Sequence, residues 1–368
     1  MKVLILSANT GQGHNSCAQA IRETFELHGE QCEIVDVLGL VSVRLSRSVS
    51  QNHEKSYRKT PRLSNAGYRF LEHHPDIFAP QKLVYKAMRT GRKQISQCIR
   101  EGGYDTVICT HVIAAMILTS AIQEEDLEIC SAFVATDYSC SPGMNGTQLM
   151  YYFIPHESLV KDFAAAEVPP DRIFPTGIPV RKAFAPASDQ VRLKKQFGIE
   201  PDHSHLLVMC GSMGCGPIPV MVRTIAASMP DNWEITVVCG TNEELKKELL
   251  QEHQNHAGVH IRGYEKEMPA LLASADLYLT KPGGLSTSEA AAVAVPMVLV
   301  DAVAGCEENN LRHFVKLGMA ATADTAMEVA EVCVELMGEP EVLAEMKQKM
   351  RRNASGSAAE AMWCVLHR

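Results

Sequence analysis

The chain has 368 residues, is 46% hydrophobic and carries a net charge of −8. That length suits about two domains of roughly 150 residues each, and the acidic balance excludes a protein that binds polyanions over its whole surface. Twelve scattered cysteines, without a Cys-x-x-Cys pair or zinc-like spacing, argue against a disulfide scaffold and for a reducing, cytoplasmic compartment.

The first element is the apolar run Val3-Leu4-Ile5-Leu6, which reads as a buried strand. It is too short for a signal peptide, and no apolar run reaches the roughly 20 residues of a membrane span, so a soluble or peripheral protein is expected. Asn9-Thr10-Gly11-Gln12-Gly13-His14 follows, and a helix is predicted over 15–27. Strand, glycine loop and helix put His14 at a helix N-terminus, where it either faces a ligand crevice or caps the helix. A second strand is predicted over 32–38.

Between residues 41 and 100 the character changes. Thirteen Lys and Arg stand against three acidic residues, a local charge of +10. Tyr57, Tyr68, Phe70, Phe78 and Tyr85 are interleaved, and Lys82, Lys86, Arg89 and Lys93 recur at helical spacing. A basic amphipathic segment suits an anionic membrane interface; the same pattern also fits a solvated helix face over a core. Nucleic acid is a third anionic partner, but no recognised nucleic-acid motif accompanies the charge.

Strands are predicted over 106–109 and 130–135. His111 follows the first and Thr136-Asp137 follows the second. Ligands of open α/β sheets gather at the carboxyl ends of strands, so Asn9, His14, His111 and Asp137 are placed to share one crevice. A helix cap for His111 and a turn role for Asp137 are the structural alternatives. After a strand over 151–155, turn-rich sequence places a domain boundary near residue 185.

The second half opens with a strand over 206–210 and the loop Gly211-Ser212-Met213-Gly214-Cys215-Gly216 before a helix. Strands over 234–239 and 259–263 follow, the latter ending at Tyr264-Glu265. A strand over 276–281 then leads into Lys281-Pro282-Gly283-Gly284, a helix opened by Ser286, and a strand over 297–301 that runs on to Gly305-Cys306-Glu307-Glu308. Glycines let a ligand approach the backbone, and the unpaired amides of a helix start attract anions, so a diphosphate suits Gly283-Gly284. Ser286-x-x-Glu289 reads equally as a capping box that needs no ligand.

Lys281-Pro282-Gly283-Gly284, Ser286 and Glu289 on the helix, and Gly305-x-Glu307 after the next strand resemble the nucleotide-sugar half of a glycosyltransferase. The resemblance is to the monogalactosyldiacylglycerol synthases and processive diacylglycerol glucosyltransferases of glycosyltransferase family 28. It extends to the glycine turn ending in His14 and to Thr136-Asp137, and so covers nearly the whole chain. It implies the α/β GT-B fold, two Rossmann-like doubly wound domains facing an interdomain cleft. Residues 1–185 would face the acceptor and the membrane, residues 186–350 would bind the UDP-sugar, and a last helix in 351–368 would cross back to the first domain. The implied reaction is inverting transfer of a hexose from a UDP-hexose to a lipid acceptor, diacylglycerol, on the cytoplasmic face of a membrane contacted by residues 41–100.

The resemblance also implies roles. His14 would be the base, with Asp137 as its catalytic companion, and Asn9, Gly11, Gly13 and His111 would lie on the acceptor side. On the donor side, Tyr264 would cover the uracil and Glu265 would pair with its edge through the backbone. Gly211, Ser212, Gly214, Lys281, Pro282, Gly283, Gly284, Ser286, Gly305, Glu307 and Glu308 would surround the rest, and Glu289 would accept from the ribose hydroxyls. The chain contains no Asp-x-Asp motif to hold a divalent ion, so neither metal nor cofactor is expected. One departure stands out: Ala304-Gly305-Cys306-Glu307 replaces the family's usual Pro-Gly-Gln-Glu. The glutamine position can contact the hexose, so the identity of the sugar is open. A transferase with a polyprenyl-linked acceptor, a UDP-sugar epimerase and a non-catalytic sensor are alternatives on the same fold.

Overall fold

The structure is a computed structural model and describes residues 1–9, 12–42, 89–303, 305–353 and 356–368. The chain forms two compact units. One comprises Met1–Lys182, Ala304–Asn309 and Ser355–Arg368; the other comprises Ala183–Val303 and Asn310–Ala354.

In the first unit the strands are β1 (Lys2–Ser7), β2 (Gln31–Asp36), β3 (Thr106–Cys109), β4 (Cys130–Val134), β5 (Tyr151–Ile154) and β6 (Ile173–Pro175). The helices are α1 (Gln12–Leu27), α2 (Val37–Val41), α3 (Arg92–Gly102), α4 (Val112–Glu125) and α5 (Val160–Ala165). The sheet is parallel throughout, in the order β2-β1-β3-β4-β5-β6. Parallel strands are covered on both faces, which is why β1 is a continuous apolar run with Val3 to Leu6 fully buried. Leu4, Leu6, Val107 and Cys109 pack with Ile95 of α3 and Leu118 of α4 in one core.

Register decides what meets at the carboxyl end. Leu6 pairs with Cys109, and Cys109 with Phe133. The segments after β1, β3 and β4 therefore leave the sheet side by side, and the strand order reverses between β1 and β3.

The second unit contains α6 (Gln190–Phe197), β7 (Ser204–Met209), α7 (Ile218–Ser228), β8 (Trp233–Val238), α8 (Glu243–Glu252), β9 (Val259–Arg262) and α9 (Met268–Ser274). It continues through β10 (Leu277–Thr280), α10 (Gly284–Val293), β11 (Met297–Leu299), α11 (Cys306–Lys316, whose residues 306–309 group with the first unit), β12 (Ala320–Thr322), α12 (Ala326–Met337) and α13 (Pro340–Asn353). Its parallel sheet runs β12-β11-β10-β7-β8-β9, the Rossmann order with its reversal between β7 and β10. Leu206, Val208, Ile225, Val298 and Val329 belong to its core. Thr280 pairs with Met209 on one side and Leu299 on the other, so the loops after β7, β10 and β11 also emerge together.

At the opposite end of this sheet, Asp276 gathers a polar network. Its carboxylate accepts from Lys194 Nζ at 2.8 Å, Gln190 Nε2 at 2.9 Å and the His205 amide at 2.9 Å, with Lys347 Nζ 3.8 Å away. Burial raises the Asp276 pKa, but the Lys194 hydrogen bond and the other partners outweigh it and leave the value below the usual 3.8. His205 beside it is fully buried, bonded to Thr236 Oγ1 at 2.9 Å, and burial pushes its pKa down to about 4.

The last helix, α14 (Ala358–Leu366), packs on α1 within the first unit. The His28 ring stacks on Trp363 at 4.0 Å, and Glu360 accepts from His28 Nε2 at 2.6 Å and Lys182 Nζ at 2.7 Å. Among the described residues no helix is long and apolar enough to cross a membrane.

Some boundaries differ from the sequence reading. The second strand stops at Asp36, whose carboxylate accepts from the amides of Leu38 and Gly39 and starts α2 there. The first helix starts at Gln12, so Gly13 and His14 lie inside its first turn.

Candidate functional site

At the carboxyl edge of the first sheet, three strand ends supply one cluster. His14 Nδ1 lies 2.7 Å from the carbonyl oxygen of Thr110, just after β3, and 3.3 Å from Thr136 Oγ1, just after β4. The rings of His14 and His111 meet edge to face at 4.6 Å. A carbonyl oxygen only accepts, so Nδ1 of His14 carries the proton and the neutral ring keeps its lone pair on Nε2. His111 is fixed the other way. It is the N-cap of α4, and its Nδ1 accepts from the Ile113 amide at 3.1 Å, which leaves the proton of its neutral ring on Nε2. One imidazole presents a base and its neighbour an N–H. Burial lowers the His14 pKa below 6.5, partly opposed by the Thr110 carbonyl.

Asn9 is exposed, yet fixed. Its amide donates to Asp36 Oδ1 at 3.2 Å, and its side-chain oxygen accepts from Asn15 Nδ2 at 2.9 Å, while Ser7 Oγ donates to Asn15 Oδ1 at 2.6 Å. Thr136 is marked in the sequence by the Thr136-Asp137 pair, whereas Asn15, Asp36 and Thr110 were not singled out. Asn15 sits one position from His14, but Asp36 and Thr110 act across the sheet edge and have no local signature. Asp137 is half-buried at the end of β4. Burial first, and the Asp137 charge second, keep the Cys306 thiol protonated. Gly13 lies in the first turn of α1. Gly11, and residues 43–88 of the basic segment, lie outside the described residues.

In the second unit the loop after β7 is bound down by the start of α8. The Ser212 carbonyl accepts from the Thr241 amide at 3.0 Å, and the Gly214 carbonyl from Asn242 Nδ2 at 3.0 Å. Gly211 and Gly214 both have left-handed backbone, with φ of 72° and 55°. A Cβ on Gly214 would stand 2.5 Å from the Cys239 carbonyl oxygen, so only glycine fits there.

Lys281 is buried, and its Nζ lies 3.3 Å from Asp301 Oδ2 beyond β11. The Pro282 carbonyl accepts from Nδ2 of the fully buried Asn310 at 2.8 Å, which anchors the turn that follows. Gly283 is the N-cap of α10, and no side chain caps it. The first-turn amides of Gly284, Leu285 and Ser286 therefore have no acceptor within the helix, and with the helix dipole they form an anion-binding end.

The capping-box reading of Ser286 and Glu289 is corrected here. The helix starts two residues before Ser286, which puts both side chains within it and half-buried. A capping box does form elsewhere, at Thr325 and Glu328. Glu289 lies near enough to Tyr278 that, after burial, its charge helps to raise the phenol pKa.

Tyr264, after β9, is 67% exposed and offers an open ring face. The Glu265 side chain is engaged locally, with Arg262 Nη1 at 3.3 Å and the Glu267 amide at 2.8 Å. Gly305 has φ 85° and precedes α11, whose first turn carries Glu307 and Glu308; carboxylates are favoured there by the helix dipole alone. Residues 304–309 group with the first unit, whereas the other donor-side residues lie in the second. Among the described residues no group of three or more His, Cys, Asp or Glu is placed to hold a metal ion.

Comparison with known proteins adds to this geometry. Residues 14–180 match the family model of monogalactosyldiacylglycerol (MGDG) synthase, and residues 205–362 match the glycosyltransferase family 28 C-terminal domain. The chain is 28% identical over 353 residues to a processive diacylglycerol beta-glucosyltransferase of Bacillus cytotoxicus, covering 95% of this chain and 89% of that protein. In fold it is similar to Acinetobacter baumannii MurG, with a TM-score of 0.63 at 14% identity, covering 100% of this chain and 99% of that one. It is equally similar to a UDP-GlcNAc 2-epimerase from Neisseria meningitidis, with a TM-score of 0.64 at 13% identity, covering 100% of this chain and 99% of that one. These structural likenesses show the α/β fold of two Rossmann-like domains, the GT-B type, and nothing finer.

Proposed function

The chain belongs to glycosyltransferase family 28, with the monogalactosyldiacylglycerol synthase domain as its N-terminal half, and we propose that it transfers a hexose from a UDP-sugar to the hydroxyl of diacylglycerol. The observation that carries the reading is the His14 tautomer. The Thr110 carbonyl leaves Nε2 as a lone pair at the sheet edge where ligands of this fold gather. Nε2 takes the proton of the acceptor hydroxyl as that oxygen attacks the anomeric carbon. The bond from the anomeric carbon to the UDP oxygen breaks, and the configuration inverts. Such proton transfer contributes roughly 10²–10⁴ in rate.

The electron pair leaves with UDP, and its charge is met by the first-turn amides of α10 and by the Lys281 ammonium, groups already oriented before the charge develops. His111 Nε2–H is the neighbouring donor for an acceptor oxygen, and Asp137 steadies the charge that His14 acquires. Tyr264 covers the uracil, and Glu289 receives the ribose hydroxyls. The basic segment holds the protein at an anionic membrane on its cytoplasmic face, where the lipid acceptor resides.

The test is incubation of the purified protein with radiolabelled UDP-glucose or UDP-galactose and lipid extract. Label in the lipid phase, rising when unlabelled diacylglycerol is added and lost when excess unlabelled UDP-sugar is added as competitor, is expected. Label released as free sugar would favour hydrolysis or epimerase chemistry, and UDP binding without turnover would favour a sensor.

A further inference from the structure

Among the described residues Asp126, Glu167, Ala294 and Asp301 are the non-glycine residues with positive φ. Asp126 and Ala294 are the C-caps of α4 and α10, and Glu167 follows the C-cap of α5. Left-handed backbone is ordinary at a helix end. Asp301, with φ 52°, instead lies in the loop two residues beyond β11. A side chain held in that region away from a helix end marks a place that its surroundings over-determine, and such places cluster at ligand sites.

The surroundings of Asp301 are the two other strand ends. Its Oδ2 lies 3.3 Å from Nζ of Lys281, beyond β10. A Cβ added to Gly216, in the loop after β7, would stand 3.2 Å from the same oxygen. The lysine side chain is 10% exposed and the aspartate side chain 44% exposed. The ammonium is thus lodged in the fold, while the carboxylate opens outward over the reversal between β7 and β10.

We infer that Asp301 reads the sugar: its carboxylate accepts hydrogen bonds from hydroxyls of the hexose while Lys281 faces the diphosphate. The inference rests on the donor reading given above. An ionised carboxylate only accepts, hydroxyls donate to it, and the charge strengthens the bond. A bare nucleoside diphosphate brings further negative charge and no such donors, so Asp301 favours the sugar-bearing form over UDP. The carboxylate also supplies a polar contact that Cys306, a thiol where the family resemblance leads one to expect a glutamine, does not.

The test uses the full chain with Asp301→Asn, which keeps the shape, removes the charge and tolerates the left-handed backbone. The KM for UDP-glucose and for UDP-galactose is measured together with the Kd of UDP by calorimetry. For the sugar that the wild type uses, KM rises about tenfold, equivalent to about 1.4 kcal/mol, while the Kd of UDP does not rise. Asp301→Gly, which relaxes the backbone and deletes the carboxylate, gives the same split. An unchanged KM, or KM and Kd rising together, overturns the inference and leaves the donor reading standing. Failure of the wild type to bind UDP or to turn over either sugar overturns the donor reading and this inference with it.

Discussion

His14 Nδ1 sits 2.7 Å from the carbonyl oxygen of Thr110, a residue 96 positions away in sequence. That one bond decides which nitrogen can act as a base, because the carbonyl must be met by an N–H. It follows from the register that sets Leu6 against Cys109, which brings the starts of two loops to one level.

His14→Ala is expected to lower turnover by about 10²-fold or more while UDP affinity changes little. Asp137→Asn should cost less, since it removes support for the base and not the base itself. Kinetics and calorimetry on both variants check the ranking; an inactive Asp137→Asn beside a nearly active His14→Ala would move the base role to Asp137.

The pH dependence has a defined sign. Burial holds the His14 pKa below 6.5, so the neutral, active ring predominates at pH 7. Activity is expected to fall as pH drops through that depressed value, giving kcat/KM an acid limb below 6.5 that is absent in His14→Gln. The same group disfavours the folded state as pH falls below 6.5, because the unfolded chain binds the proton more readily. An acid inflection above 6.5 assigned to His14 would contradict the burial argument.

Glu289→Ala should weaken UDP binding by about 1–3 kcal/mol, the usual consequence of losing a bond to a charged group. Because Glu289 is not part of a capping box, a reduced helix start is not the competing explanation. Undiminished UDP affinity in the variant would remove the ribose from its neighbourhood.

Lys194→Met should destabilise the second unit by about 3–5 kcal/mol, since it strands the charge of a mostly buried carboxylate. Asp276 has its pKa held below 3.8, so its stabilisation is fully present above that value and is lost as pH falls through the lower, folded-state value. Urea titrations at neutral pH and near pH 3 check both; equal stability of wild type and variant at neutral pH would show that Lys347 suffices alone.

The +10 charge between residues 41 and 100 predicts vesicle binding that grows with anionic lipid and fades with salt, as the Debye length shrinks from about 10 Å at 0.1 M to about 3 Å at 1 M. Sedimentation with neutral and anionic vesicles measures it. Equal binding to both would leave the segment as a solvated face.

What the sequence determined by itself was local. Buried parallel strands announce themselves as unbroken apolar runs such as Val3 to Leu6, and Gly211 to Gly216 and Pro282 to Gly284 mark the glycine turns that follow strands. Those signals, with the family resemblance, gave the α/β class and located His14 at a helix start and Gly283-Gly284 in the turn before a helix. They could not say that α10 begins at Gly284 without a cap, because Ser286-x-x-Glu289 has the right residues for a capping box and only the backbone path puts them inside the helix. Nor could they pair His14 with Thr110, Pro282 with Asn310, or Lys281 with Asp301. Such partners come from strands and helices distant in sequence, and strand order and register alone bring them within hydrogen-bonding reach. The tertiary structure also set the opposite tautomers of His14 and His111, since each follows from which backbone group, a carbonyl or an amide, stands against Nδ1.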